Sequence, residues 1–441
     1  MLPSPTLPAS WAAVLQNLRW VFTAPSFATF TALVTGLVAN TGAGTVTGML
    51  TSAGLAQSWS HDRAHAFFSR ASWSSDTLGM CLSRLIVRTL LPDGAALTVA
   101  IDDTLFKKRG KKVFGAGWQH DGASRSEKPV GYGVCFVVMG IIVELPFCSR
   151  PFCLPVAARR WRPKTDTSKV DIAAALVKLI ALWHRDARIH VVADAAYHGP
   201  ALRHLPSPIT VTTRLPASAV LYDLAPPPTG KRGRPALKGS RLGKPADLAA
   251  TAKFRTVQVR RYGRVDTVHI AEIRCLWYGS FHTQIVRVVL IRDDATNTAY
   301  DLALVTTDLV GEAPALVSRY AWRWSIEVTF AETREYLGAG QARNRARKAV
   351  ERTTPFALYC YTIVVVWYTL HGHQPADIAD RRERQPWYTT KAEPAFTDMA
   401  AKLRRVIIAA RFSPIRAARP TDAEIRTVQQ AWAQAGLDLS A

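Results

Sequence analysis

The sequence is short of acid. It holds 33 Asp and Glu against 56 Lys and Arg, which gives a net charge of +23. Such a chain attracts polyanions, nucleic acid first and anionic membrane second. A hydrolase of small phosphoesters gains nothing from so broad a positive field. Cysteine is also scarce. The six residues (81, 135, 148, 153, 275 and 360) contain no Cys-x-x-Cys pair. This excludes a zinc knuckle or a disulfide framework and predicts reduced thiols. No basic start followed by a long apolar core opens the chain, so no signal peptide is expected. Long hydrophobic runs are missing too. The longest, "PFALYCYTIVVVWYTL" (355–370), has 16 residues, fewer than a membrane span needs, and its Tyr and Thr residues suit a buried helix. No internal repeat is found.

What is present is a chain of 441 residues with 48% hydrophobic content, enough for two to four domains with real cores. Residues 1–92 read as helical. "SHDRAHAFFSRASW" (60–73) sets His61, His65 and Phe68 at helical spacing, and "SSDTLGMCLSRLIVRTLLP" is a capped amphipathic helix ending at Pro92. The pattern then changes. "LTVAI" (97–101) is a short apolar run ending in two carboxylates, as a buried strand would. "GYGVCFVVMGIIVELPF" (131–147) predicts two strands around Gly140, "DIAAALVKLIALWH" (171–184) a helix, and "RIHVVADAAYHG" (188–199) a strand ending on Asp194. Together these predict a mixed α/β sheet with acids at its strand ends, over residues 93–208. Residues 209–299 differ. A loop-like stretch is followed by alternating segments, and between Lys231 and Arg264 there are eleven Lys or Arg and one acid, Asp247. This predicts a basic, β-rich insertion. "YDLALVTTDL" resumes the core, which runs over 300–372, and residues 373–441 read as a charged helical region.

Three acids stand out: Asp102, Asp194 and Glu327. The first two end apolar runs, where a lone carboxylate is costly unless a cation compensates it. Mg²⁺ accepts a few carboxylates plus water and phosphate oxygens. Any one of these acids alone reads as a cap or half of an ion pair; the combination carries the signal. Glu327 lies within "RWSIEVTFAETREYLG" (323–338). Tyr320, Arg323, Glu327 and Arg334 repeat at 0, 3, 7 and 14 and fall on one stripe of a continuous helix. That face offers guanidinium for phosphate and an aromatic ring for a base.

These stretches resemble the DDE transposases of bacterial insertion sequences, in the branch with a Tyr-(2)-Arg-(3)-Glu-(6)-Lys signature and a β-rich insertion before the glutamate. "AIDDTLFKKRGKK" is similar to the family's first-aspartate strand, "VVADAAYHG" to its Asp-x-x-Tyr strand, and "YAWRWSIEVTFAETR" to its glutamate helix. The resemblance spans about residues 60–400. It implies an α/β fold with a ribonuclease H-like core, the β-rich insertion and flanking helical regions. It implies two Mg²⁺ ions, with Mn²⁺ able to substitute, held by Asp102, Asp194 and Glu327. Asp102 is preferred to Asp103 because it stands two residues before the Thr. Tyr320, Arg323 and Tyr197 would serve the cleavage site. Arg334 stands where the family often has Lys, so a point charge becomes a planar fork.

Further DNA contacts are expected from Lys107 and Lys108 in "KKRGKK", from Arg343 and the basic run 343–352, and from Arg232 and Arg234 in a hook-like "KRGRP" suited to a narrow minor groove. The implied partners are double-stranded DNA, the terminal inverted repeats and target DNA, with a homodimer pairing two ends, the N-terminal helices reading them, and no membrane. The expected location is the bacterial cytoplasm, on the nucleoid. The implied reaction is metal-dependent cleavage at transposon ends with strand transfer into target DNA. The alternative is a catalytically silent DNA-binding protein, a domesticated transposase acting as repressor or architectural factor.

Overall fold

A computed structural model describes residues 7–122, 127, 129–227, 235–294, 296, 298–412 and 426. The strand-rich stretches form β1 (Leu97–Lys107), β2 (Gly117–His120), β3 (Val130–Val143), β4 (Phe152–Trp161), β5 (Ile189–Ala193) and β6 (Ile209–Arg214). After them come β7 (Leu221–Tyr222), β8 (Arg241–Gly243), β9 (Arg255–Arg261), β10 (Arg264–Leu276), β11 (Ile285–Arg292) and β12 (Leu302–Thr306). All twelve belong to one sheet among the described residues.

The half that matters for chemistry has the order β4-β3-β1-β5-β6. β3 is antiparallel to β1 and to β4, while β5 runs parallel to β1 and β6 parallel to β5. β1 as far as Ile101, and β5, are mainly apolar and buried, as strands covered on both faces must be. The helix Lys169–Trp183 starts at a capping box between Ser168 and Asp171 and supplies one cover.

The expected pair of strands around Gly140 is a single strand, β3, whose register against β4 shifts between Met139 and Gly140. A Cβ on Gly140 would lie 2.4 Å from the Cys153 sulfur, so the close approach of β4 requires glycine there. Ile209–Arg214, within the stretch read as the insertion, pairs with β5. β12 pairs with β6 on one side and β11 on the other, which extends the core sheet through β11 and β10 into the insertion.

The N-terminal helices merge with the core rather than forming a domain of their own. Phe30, Phe67 and Phe68 pack against Phe356 with ring centroids 6.0, 6.1 and 5.1 Å apart. Phe356 belongs to the helix Arg347–Trp367, which holds most of the longest apolar run. This helix is long and apolar enough to cross a membrane, yet 89% of its most apolar window is buried inside the protein. Arg352 of the same helix donates to the carbonyls of Phe68, Ala71 and Trp73, tying the two regions together.

The helix Ser75–Leu90 lies so close to β4 that a Cβ on Gly79 would sit 1.8 Å from the Val156 carbonyl oxygen. Backbone cannot yield there as a flexible side chain could. Gly79→Ala is therefore expected to destabilise the protein by about 3 kcal/mol or more, read as a fall in the midpoint of urea unfolding.

Candidate active site

The site starts from β1 and β5. Their parallel register pairs Ile101 with Ala193, so Asp102 and Asp194 follow on neighbouring strands. The Asp194 carboxylate accepts from the Ala196 amide at 2.8 Å, and its carbonyl accepts from the Thr213 hydroxyl on β6. These bonds hold the tight turn after β5. Asp102 accepts from the Asp103 amide at 2.8 Å. Burial, and then the Asp194 charge, push the Asp102 carboxyl up to about 7, while Arg323 pulls the other way.

Asp103 points elsewhere, as adjacent strand residues must. Its carboxylate accepts from Lys169 at 2.5 Å and from the Tyr197 hydroxyl at 3.0 Å, and the Cys135 thiol approaches to 3.4 Å. This ion pair separates the two neighbouring aspartates by environment. Asp102 faces Asp194 and Arg323, while Asp103 is engaged by Lys169 and Tyr197.

The third acid arrives from far along the sequence. The stretch expected to be one helix is two, Ala313–Trp322 and Ser325–Tyr336. At their junction the amides of Arg323, Ile326 and Glu327 each donate to the carbonyl three residues back, at 3.0, 3.0 and 3.1 Å. This tighter winding alters the 3.6-residue period, so the stripe is not continuous. Arg323 sits at the break. Its Nη1 donates to Asp102 at 3.2 Å and its Nη2 to Glu327 at 2.9 Å, while its buried Nε has no acceptor among the described residues. The Tyr320 ring lies 5.9 Å from the guanidinium. Asp102, Asp194, Glu327, Tyr320 and Arg323 are thus brought together, with the arginine between the first and third acids.

Arg334 is carried away from that group. It donates to the Thr104 hydroxyl and to the Leu105 carbonyl, and stacks 5.2 Å from the Phe106 ring. Its fork fastens the Glu327 helix to β1. Tyr197 is 1% exposed and reaches the site only through Asp103. Lys107 is exposed and pairs with Asp121 at 2.9 Å. Lys108 is engaged by the carbonyls of Gly340 and Ala342, and burial pulls its ammonium down to about 8. Arg343 is exposed. Arg232 and Arg234 lie outside the described residues. The His61 and His65 rings lie tilted to each other with centroids 4.4 Å apart on the helix His61–Ser69, and His198 donates to or accepts from Ser280 at 3.0 Å. The sequence reading missed Lys169 and Cys135, whose relation to Asp103 depends on pairing across β3 and on a helix 66 residues away.

Buried, close-set carboxylates of this kind suit a hard divalent cation. Among the described residues, no group of three or more His, Cys, Asp or Glu side chains is gathered closely enough to hold a metal. The carboxylate pair Asp102–Asp194 fits such an ion by donor chemistry, and Glu327 is turned to the Arg323 guanidinium instead.

A family model described as "DDE superfamily endonuclease" matches residues 17–269, more than half of the chain. The chain belongs to the DDE superfamily endonucleases. The matched span of this DDE endonuclease includes Asp102 and Asp194 and ends before the Glu327 helix. Curated proteins gave no match. Members of the superfamily typically use divalent metals and act on DNA.

The raised Asp102 carboxyl sets a sign for stability in chelator. A proton bound more tightly in the folded state stabilises the fold fully below the ordinary aspartate range, and that stability is lost as pH rises through about 7. Asp102→Asn removes the charge. The variant is expected to lose less stability than wild type between pH 4 and pH 8, by on the order of a few kcal/mol. Urea unfolding across that range with EDTA present reads the difference; parallel curves would refute it.

Proposed function

We propose that this DDE endonuclease is a cut-and-paste DNA transposase of the insertion-sequence branch, with a ribonuclease H-like core. The observation that carries the reading is that Arg323 bonds both Asp102 and the distant Glu327, while Asp102 faces Asp194 on the neighbouring strand. The strand order β4-β3-β1-β5-β6, with only β3 and β4 antiparallel to their neighbours, supports the core assignment. Asp102, Asp194 and Glu327 are assigned as the metal carboxylates, for Mg²⁺ with Mn²⁺ substituting.

When bound, such ions lower the pKa of water and stabilise charge on the attacking and leaving oxygens of a phosphodiester. The chain's own groups do the rest. Arg323 neutralises Asp102 and Glu327 while DNA is absent. Its two forked donors suit two phosphate oxygens equally well, so substrate and carboxylates compete for one guanidinium. Tyr320 restricts where that fork can swing. Lys169 and Tyr197 hold Asp103, keeping β1 in the register that presents Asp102 to Asp194. Arg334 locks the Glu327 helix to β1, so it acts on the site by position. Exposed basic residues, Arg343 among them, take DNA phosphates, and a homodimer pairs two terminal inverted repeats before strand transfer into target DNA.

The test is cleavage of a labelled duplex carrying the element's ends, with Mg²⁺ or Mn²⁺. Asp102→Asn, Asp194→Asn and Glu327→Gln are expected to cut at least about a hundredfold more slowly while still binding DNA. Asp103→Asn should keep metal-dependent cutting and lose about 1–3 kcal/mol of stability, because it leaves Lys169 without its charge partner. Tight binding with no cutting in either metal would instead support the silent DNA-binding protein.

A further inference from the structure

The hairpin of β2 and β3 has a face that nothing packs against among the described residues. Trp118 stands opposite Tyr132, and His120 opposite Val130. Side chains alternate along strands, so these four share one side. The other side carries Gln119, which is buried and donates to the Gly133 carbonyl at 3.0 Å. On the outer side Trp118 is 70% exposed and Val130 54% exposed. The Trp118 and Tyr132 rings meet edge to face, with centroids 5.6 Å apart. Tyr132 thereby steadies the indole and leaves much of its surface to solvent.

Basic chain lies beside this face. The Tyr132 hydroxyl donates to the Lys111 carbonyl at 3.4 Å, which sets the loop after β1 against the aromatic pair. Arg109, Lys111 and Lys112 on that loop are exposed and have no acidic partner among the described residues. The same loop is joined to a second basic segment, because the Phe114 amide donates to the Arg345 carbonyl at 3.1 Å. Arg343 and Arg345 there are exposed as well. Five exposed cations thus lie on two distant segments that are joined to each other and, through Tyr132, to the aromatic pair. Strand geometry puts the pair roughly 20 Å from Asp102, about six nucleotide steps along a strand.

We propose that Trp118, supported by Tyr132, is a stacking platform for an unpaired base of the DNA strand that the Arg109–Lys112 and Arg343–Arg345 segments hold by its phosphates. The inference rests on the reading of DNA as substrate and extends it to a second contact outside the acidic site. Charge complementarity selects a polyanion, and the free indole face selects one that offers an unstacked ring. A fully paired duplex hides those faces.

The experiment measures binding of the full chain, by fluorescence anisotropy at several salt concentrations, to a blunt duplex and to a duplex with a single-stranded overhang. Trp118→Ala is expected to weaken overhang binding roughly 5- to 100-fold, with the blunt duplex little changed and the salt slope unaltered. Trp118→Phe should recover most of the loss. Lys111→Ala with Lys112→Ala should weaken both DNAs and flatten the salt slope by about 2. Circular dichroism checks folding, and the exposure of Trp118 predicts an unchanged melting temperature. Equal affinities of wild type and Trp118→Ala for the overhang DNA would overturn the proposal, as would an equal loss on both DNAs. Failure of the wild-type protein to bind either DNA would instead overturn the transposase reading.

Discussion

One guanidinium organises the centre of this protein. Arg323 stands between Asp102 and Glu327, at the end of one helix and just before the next. Without a cation there, two half-buried carboxylates far apart in the sequence would repel each other in a poorly solvated space. With it, β1 and the Glu327 helix are drawn together by charge as well as by packing. The remaining orphan, the Arg323 Nε, shows that the pairing is incomplete. The fork is held by two acids with one donor unused.

The position of that guanidinium depends on the insertion. The helix Ala313–Trp322 buries Ala313, Leu316 and Val317 against Val259, Val268, Ile270, Val289, Ile291 and Leu304. Most of these residues belong to β9, β10 and β11. The basic segment that interrupts the core in sequence is therefore the floor under the helix that aims Tyr320 and Arg323. A small hydrophobic interface transmits the sheet's geometry to the site, and packed interfaces deform little. Arg334 performs the matching task at the far end of the Glu327 helix, where its contacts with Thr104 and Leu105 leave the second helix one way to lie on β1.

Charge is arranged on two scales. The overall excess of +23 draws a polyanion from a distance, but many individual cations have local work. Lys108, Arg334 and Arg352 bind carbonyls or hydroxyls inside the protein. Arg109, Lys111, Lys112, Arg343 and Arg345 remain at the surface. Net charge alone does not tell which is which, because a buried guanidinium and an exposed one count the same.

The sequence by itself determined the local facts. Apolar runs ending in acid read as strands because burial on both faces leaves no polar alternation; β5 does stop just before Asp194, while β1 continues past Asp102 and Asp103 to Lys107. The apolar stretch 355–370 read as buried helix, and as far as Trp367 it lies in the buried helix Arg347–Trp367. The DDE family was legible because its motifs are contiguous. Other features depend on contacts between residues far apart, and only the tertiary structure decided them. The break at Arg323 comes from winding that a 3.6-residue period cannot register. The distinction between Asp102 and Asp103 by environment comes from Lys169 and Tyr197, 66 and 94 residues away. The continuity of the insertion with the core comes from β12 pairing with β6. The exposed Trp118 comes from a hairpin whose outer face no element covers among the described residues. Periodicity and motif report what neighbours along the chain agree on; which distant charges meet, and which aromatic ring is left in solvent, follow from how the sheet closes around them.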